Sequence, residues 1–261
     1  MDLIAFTEQN LLFFFLIATR ISGIFLSAPI FSSRNIPARI KVLLTLFIAL
    51  VLITPLSQKY IPVIPTDFLP YILCIGMEFI IGACIGLVLA MFFAIIQVAG
   101  QMLDTQVGFG IVNVVDPQTG IQLPVLGNFI QMLFTIVFFV SDLHHIFLLA
   151  LIDSFDLLPL STAVLQPQSG IFMLDLFAGM FLTAFKIAMP LLMTTLLVDV
   201  SMGMLARTMP QMNVFVVGIP LKLAVGIFML SVLLPTYIYI IKVAYGGISE
   251  DIYKMLTMFA G

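Results

Sequence analysis

Residues 100–122 read GQMLDTQVGFGIVNVVDPQTGIQ and lie near the middle of the chain, between two strongly apolar segments. Gly100, Gly108, Gly110 and Gly120 punctuate the stretch, and Pro117 follows Asp116. Between the glycines, Ile111, Val112, Asn113, Val114 and Val115 form a largely β-branched run, which is a poor helix former. A connection of this length without a helical pattern is uncommon in a compact fold and is usually functional or disordered. The run is apolar rather than charged, which argues against disorder. An ordered apolar loop needs something around it to satisfy its backbone. Inside a membrane that is possible only where protein encloses the loop or a wet cavity lies beside it. The stretch therefore predicts a central loop that works inside a conduit.

The composition gives that loop its setting. Of 261 residues, 62% are hydrophobic and 9% charged, at a mean hydropathy of +1.24. A soluble domain carries about a quarter charged residues, so the chain belongs in a membrane or in a large hydrophobic assembly. A net charge of −3 gives no footprint for nucleic acid. Cys74 and Cys84 are ten positions apart in one apolar segment. On a helix that is a rise of about 15 Å, too far for a disulfide, and both read as small apolar fillers. Asp2 and Glu8 precede the first apolar run and Arg20 interrupts it, a pattern unlike that of a cleaved signal peptide.

Outward from the loop, hydropathy marks apolar segments at 11–31, 42–56, 68–98, 123–140, 171–198 and 214–241, with a shorter one at 146–160. None alternates with a period of two, so all are expected to be helical. Prolines at 37, 55, 62, 65, 70, 159, 167, 210 and 235 mark the joints. Spanning the hydrocarbon core takes about 20 residues. The segments at 42–56 and 146–160 are short for this. As single helices, 68–98 and 171–198 are about 46 Å and 42 Å long against a core of about 30 Å. Tilt or kinks at Pro190 and Pro220 are one way to absorb the excess. Helices that do not all lie in lipid, packed as hairpins against partners, are another. The expected fold is all-α, of integral-membrane type, with helical hairpins and kinked or broken helices. It forms a single domain over 1–261: helices in 1–99, the loop, hairpins in 123–241 and a tail over 242–261.

Charges inside the apolar segments are the next signal. Arg20, Glu78, Lys186 and Lys222 lie within them, and Asp199 is expected to cap one. Each costs about 2.5–3.5 kcal/mol at a bilayer centre on the insertion scale. Thirteen Leu, Ile or Phe residues in 11–31 return about −4 to −8 kcal/mol on the same scale. Arg20 therefore permits insertion but requires a face turned from lipid. Either these charges pair with one another and orient the bundle, or they face partner subunits. Arg34, Arg39 and Lys41 cluster after the first segment, which places that cluster on the cytoplasmic side if the segment spans. An echo of Arg34-Asn35-Ile36-Pro37 in Arg207-Thr208-Met209-Pro210 is too short to establish duplication.

Signatures of an enzyme are not found in the sequence. His144 and His145 are adjacent, about 100° apart on a helix, so one face cannot offer both to a metal. There is no zinc-protease helix motif, nucleophile elbow or phosphate-binding glycine loop. No cofactor, metal site or catalytic residue is expected. The stretch LARTMPQMNVFVVGIPLK, residues 205–222, instead gathers Arg207, Gln211 and Asn213 between two apolar helices. Pro210 ends the first helix and Asn213 can cap the second. A polar hairpin at a membrane surface and a fixed corner docking onto a partner both fit this spacing.

This corner, with Gly218-Ile219-Pro220-Leu221-Lys222 after it, resembles the signature of the FliR/SctT family of type III secretion export-gate proteins, on its flagellar side. Ser33-Arg34-Asn35-Ile36-Pro37-Ala38-Arg39-Ile40-Lys41 is similar to the family's N-terminal motif. Gln106-Val107-Gly108-Phe109-Gly110 and Asp116-Pro117 are similar to its central loop, and residues 199–204 to the approach to the corner. The resemblance spans nearly the whole chain.

It implies a fold like a FliP–FliQ fusion and a place, with FliP and FliQ, in a helical, cone-like channel. FlhB is implied at the entrance and FlhA in a ring beneath. Unfolded flagellar subunits pass through, and membrane lipid surrounds part of the complex. The location implied is the bacterial inner membrane, in the flagellar basal body, projecting toward the periplasm. The central loop then helps plug the pore through Gln106, Gly108, Phe109, Gly110, Ile111, Val112, Asn113, Val114 and Val115. Subunit contacts or buried polar positions are expected at Arg20, Arg34, Glu78, Lys186, Asp199, Arg207, Pro210, Gln211, Asn213 and Lys222. A secondary transporter for a small solute is the alternative: it accounts for broken helices and intramembrane charges but not for the corner.

Overall fold

The computed structural model describes residues 3–33, 36–59, 65, 67–108, 124–164 and 166–259, and every regular element among them is an α-helix. In chain order these are α1 (Leu3–Ser27), α2 (Pro29–Ser32), α3 (Ala38–Lys59) and α4 (Phe68–Val107), then α5 (Val125–Val140), α6 (Leu143–Leu157), α7 (Pro167–Thr208) and α8 (Val214–Phe259). The all-α membrane-type fold is as expected. Five of the helices are long and apolar enough to cross a membrane, or six if α5 and α6 form one bent span.

Several boundaries differ from the sequence reading. α3 has 22 residues, long enough to span, because the helix runs through Pro55 and takes in polar residues at both ends. α4 has 40 residues and continues through Gly100 to Val107, so the first third of the expected loop is helix. Leu103 and Val107 are buried there, and an apolar face at helical spacing outweighs the cost of Gly100. α7 and α8 have 42 and 46 residues, about 63 Å and 69 Å along the helix. Asp199 consequently lies inside α7 and caps nothing. Pro235, expected at a joint, is also inside a helix, as are Pro190 and Pro220, expected within helices as sites of kinking. Residues 242–259 of the expected tail are the last part of α8. Ile248, Ile252, Met255, Leu256 and Phe259 are buried there, and the Phe259 carbonyl accepts from the Val164 N–H at 3.0 Å.

α5 and α6 are divided by Ser141 and Asp142. Asp142 adopts φ 55°, the left-handed region that short polar side chains tolerate best after glycine.

The chain divides into two compact units, one of Met1–Phe92, Leu143–Leu176 and Gly246–Gly261, the other of Phe93–Asp142 and Phe177–Tyr245. In the first, Leu16, Ile17, Ile21 and Ile24 of α1 and Ile81, Ile85 and Leu89 of α4 are fully buried. The close packing of α1 on α4 rests on glycines. A Cβ on Gly82 would run into the Arg20 carbonyl, and one on Gly23 would lie 2.8 Å from the Ala83 nitrogen. Gly82 and Gly86 are four apart, the spacing that lets membrane helices touch along their backbones. In the second unit Phe93 of α4 sits edge-on to Phe134 and Phe138 of α5, with centroids at 4.8 and 5.4 Å.

Candidate functional site

The first unit contains a buried ion pair. Arg20 and Glu78 are 0% and 1% exposed, and the Arg20 Nε donates to Glu78 Oε2 at 2.6 Å. Arg20 Nη1 donates to the carbonyls of Ser154 and Leu158, both at 2.9 Å. The Phe155 ring covers the guanidinium, 4.6 Å from its carbon. Glu78 Oε1 accepts from the Ser161 N–H at 3.0 Å. Ser161 takes φ 71°, an uncommon backbone state for a non-glycine residue that here presents its N–H to the carboxylate. Leu158, Ser154 and the Ser161 N–H lie at and just past the end of α6; the Ser154 carbonyl also accepts from the Leu158 N–H at 3.1 Å, while the Leu158 carbonyl lies past the last intrahelical bond. A cation there also meets the negative end of the helix dipole. The two side chains thus join α1, α4 and α6. Expected at subunit contacts or as buried polar groups, they are buried polar groups of their own chain, with no surface left for a neighbour.

In the second unit three further expected residues come together at the end of α4. Lys222 Nζ of α8 donates to Asp199 Oδ2 of α7 at 2.8 Å, with the two side chains 19% and 48% exposed. The same oxygen accepts from Gln106 Nε2 of α4 at 3.3 Å. One residue on, a Cβ added at Gly226 would lie 2.6 Å from a Val107 methyl, so α8 passes very close to the last turn of α4. Gly108 follows with φ 98°, a conformation that glycine alone adopts freely. The helix ends there because the backbone turns left-handed. Of the expected plug residues, Gln106 and Gly108 are therefore placed. Phe109, Gly110, Ile111, Val112, Asn113, Val114 and Val115 lie outside the described residues, as does Arg34.

The chain resumes at α5, whose start uses a residue the sequence reading did not single out. Pro124 occupies the N-cap position and supplies no side-chain hydrogen bond. Asp104, on α4 and 5% exposed, takes over that role. Its Oδ1 accepts from the Leu126 N–H at 2.8 Å and its Oδ2 from the Gly127 N–H at 2.7 Å. Two otherwise orphaned donors are thereby satisfied by one carboxylate at the positive end of a helix. Glycines permit the approach, since a Cβ on Gly100 would meet the Gly127 Cα. The clue in the sequence was an acid with glycine four residues before it, inside a stretch read as loop.

The remaining expected residues stay apart from both clusters. Lys186 is exposed on α7, beside exposed Leu182, Phe185 and Met189. Arg207, Pro210, Gln211 and Asn213 form an exposed corner between α7 and α8. α7 ends at Thr208, and Asn213 stands at the N-cap position of α8, its carbonyl accepting from the Val216 N–H at 3.1 Å. His144 and His145, expected on different faces, have ring centroids 4.2 Å apart in the first turn of α6.

Long apolar helices, a buried ion pair and polar clusters at helix ends define an all-α membrane-type protein without strands among its described residues. Comparison gives its family. Residues 11–247 match the model for bacterial export proteins, family 1, and the chain belongs to that family. It is 34% identical over 250 residues to the flagellar biosynthetic protein FliR of Bacillus subtilis, covering 94% of this chain and 95% of that one. It is 30% identical over 216 residues to FliR of Escherichia coli, covering 83% and 82%. FliR of Aquifex aeolicus is 26% identical over 253 residues, covering 97% and 95%.

Proposed function

We propose that the chain is the FliR-type core subunit of a flagellar type III export gate. With FliP and FliQ it forms the channel through which unfolded flagellar proteins cross the inner membrane. FlhB and FlhA adjoin the cytoplasmic side, and part of the assembly projects toward the periplasm. The observation that carries this reading is the family match over residues 11–247, with FliR relatives aligned along nearly their full length.

Within that role the segment after α4 helps plug the pore. Three features support this. The segment is apolar and glycine-rich, and it leaves α4 through a left-handed glycine. Its departure point is tied to α7 and α8 through Asp199 and Lys222. An apolar plug stops ions without needing charge, because a dewetted constriction has no solvent to carry them. A plug must also move aside for a passing chain, which requires less local stability than a packed helix has.

Deleting residues 108–115 is expected to leave assembly with FliP and FliQ intact and to make the membrane leak small ions. Potassium efflux from cells carrying the variant measures this. An assembled complex that stays tight removes the plug role.

A further inference from the structure

We infer that the groove between α1 and α3 holds one anionic phospholipid, with an acyl chain lying along the groove and the headgroup phosphate meeting Lys41. The site lies wholly within the first unit, and the plug reading plays no part in it.

α1 and α3 pack on one another on either side of α2, and the furrow between them offers a volume of about 450 Å³. Its floor is Ala18, Phe25 and Thr45, all buried. Its rims are Phe15 and Leu26 on α1 and Val42 and Leu46 on α3, all exposed. From Phe15 to Leu26 the α1 wall rises about 16 Å. That is the depth of one leaflet of a hydrocarbon core about 30 Å thick. A partner helix, about 10 Å across, is too wide to enter a furrow between two helices in contact. An acyl chain is not.

The wall suits an apolar occupant although four of its residues carry hydroxyls. Thr19 Oγ1 donates to the Phe15 carbonyl at 2.7 Å and Ser22 Oγ to the Thr19 carbonyl at 2.7 Å. Thr45 Oγ1 donates to the Lys41 carbonyl at 2.8 Å and Ser32 Oγ to the Pro29 carbonyl at 3.4 Å. Each hydroxyl proton is taken by a carbonyl of its own helix. An apolar chain in the groove therefore strands no side-chain donor along the wall.

The charge sits at one end. Lys41 Nζ donates to the Ser33 carbonyl at 3.0 Å, which holds the ammonium at the α2 end of the groove. An ammonium has three donors, so two remain for phosphate oxygens. Among the described residues no carboxylate pairs with Lys41, and no Asp or Glu occurs between Glu8 and Asp67. Arg39 is exposed in the first turn of α3, and the positive end of the helix dipole lies at the same level. An apolar stem with its cation at the interface is how lysine meets a bilayer surface. A cationic pocket beside apolar helices selects anionic headgroups.

The test uses the full chain assembled with its gate partners in detergent. The complex is incubated with phosphatidylglycerol and phosphatidylcholine of the same acyl chains and passed through gel filtration, and the retained lipid is counted by mass spectrometry. Lys41→Gln is expected to retain one phosphatidylglycerol fewer per complex than wild type, with phosphatidylcholine unchanged. Lipid held by the partners cancels in the difference. Ser22→Leu, which puts a bulkier side chain into the groove, is expected to lose the same lipid. Equal retention by wild type and Lys41→Gln overturns the inference. So does a Ser22→Leu complex that keeps the lipid, since the headgroup alone then suffices. Release by inorganic phosphate at constant ionic strength marks a site for the free anion and overturns it too.

A measurement on the unaltered complex guards against variants that fail to assemble. Phosphatidylglycerol carrying a diazirine at the end of one acyl chain is photolysed in the wild-type complex, and the labelled residues are identified. Labels are expected on α1 and α3 around Phe15 and Leu46, at the end of the groove away from the Lys41 ammonium. Labels only on other helices or on partner subunits show that protein covers the groove, and the inference falls.

Discussion

At the scale of single residues, the Arg20–Glu78 pair is the feature whose energetics can be separated most cleanly. Both groups are out of solvent, and each also bonds backbone groups at the end of α6 or just after it. Removing one partner from such a pair strands a buried charge and costs about 3–5 kcal/mol, whereas replacing both by apolar side chains is much less harmful. Glu78→Leu is therefore expected to lower the melting temperature of the detergent-solubilised chain sharply. Arg20→Met with Glu78→Leu should recover part of the loss. It should not reach wild type, because the Leu158 carbonyl and the Ser161 N–H lose their partners, at about 1–3 kcal/mol for each group left unsatisfied, while the Ser154 carbonyl keeps the Leu158 N–H. A double variant that melts with the single one would show that charge stranding is not the cost. The presence of buried charge was legible from Arg20 and Glu78 inside apolar runs. Their partnership was not, because 58 positions separate them and only packing brings them together.

At the scale of elements, the fit of α1 on α4 depends on absent side chains. Gly82 faces the backbone of Arg20, so any Cβ there must push the helices apart. That displacement would also pull Arg20 from Glu78, since both lie beside the same crossing. Gly82→Leu is expected to abolish accumulation of folded protein, as judged by membrane levels and by protease resistance. Gly76→Ala, on the same helix with open space where its Cβ would go, should be tolerated and slightly stabilising, by about 0.5–1 kcal/mol from helix propensity. Equal tolerance of both changes would mean that the crossing is looser than its geometry. The Gly82-Ala83-Cys84-Ile85-Gly86 spacing was present in the sequence, but spacing alone does not name the helix that packs against it. The reading of 100–107 as loop failed for a related reason. Glycine and polar residues count against helix locally, while Leu103, Val107 and the Asp104 bonds to α5 outweigh them once packed.

For the whole molecule, the decisive property is how little of some helices the chain covers by itself. In the most apolar stretch of α8 about a tenth of residues are buried (11%), against 56% for α4. Lipid can cover apolar faces of this kind, but it covers Lys186 badly, at about 2.5–3.5 kcal/mol for a lysine at the centre of a helix. Under the proposed function that face belongs against a partner subunit. Lys186→Glu is expected to reduce co-purification with FliP and FliQ while leaving the melting of the isolated chain unchanged. Complexes recovered at wild-type yield would place Lys186 outside the subunit contacts.

Composition and periodicity by themselves determined that this is a chain of long apolar helices carrying a few ionic groups, interrupted once by a glycine-rich apolar segment. Those properties are sums over neighbouring residues, and hydropathy along the chain records them directly. The order of residues around Arg207–Lys222 also pointed to the export-protein family, to which residues 11–247 belong. Only the tertiary structure decided which charges meet, where α4 stops and what caps α5. Those outcomes depend on contacts between distant segments: a carboxylate at 104 acquires its role only when the amides of 126 and 127 are brought to it.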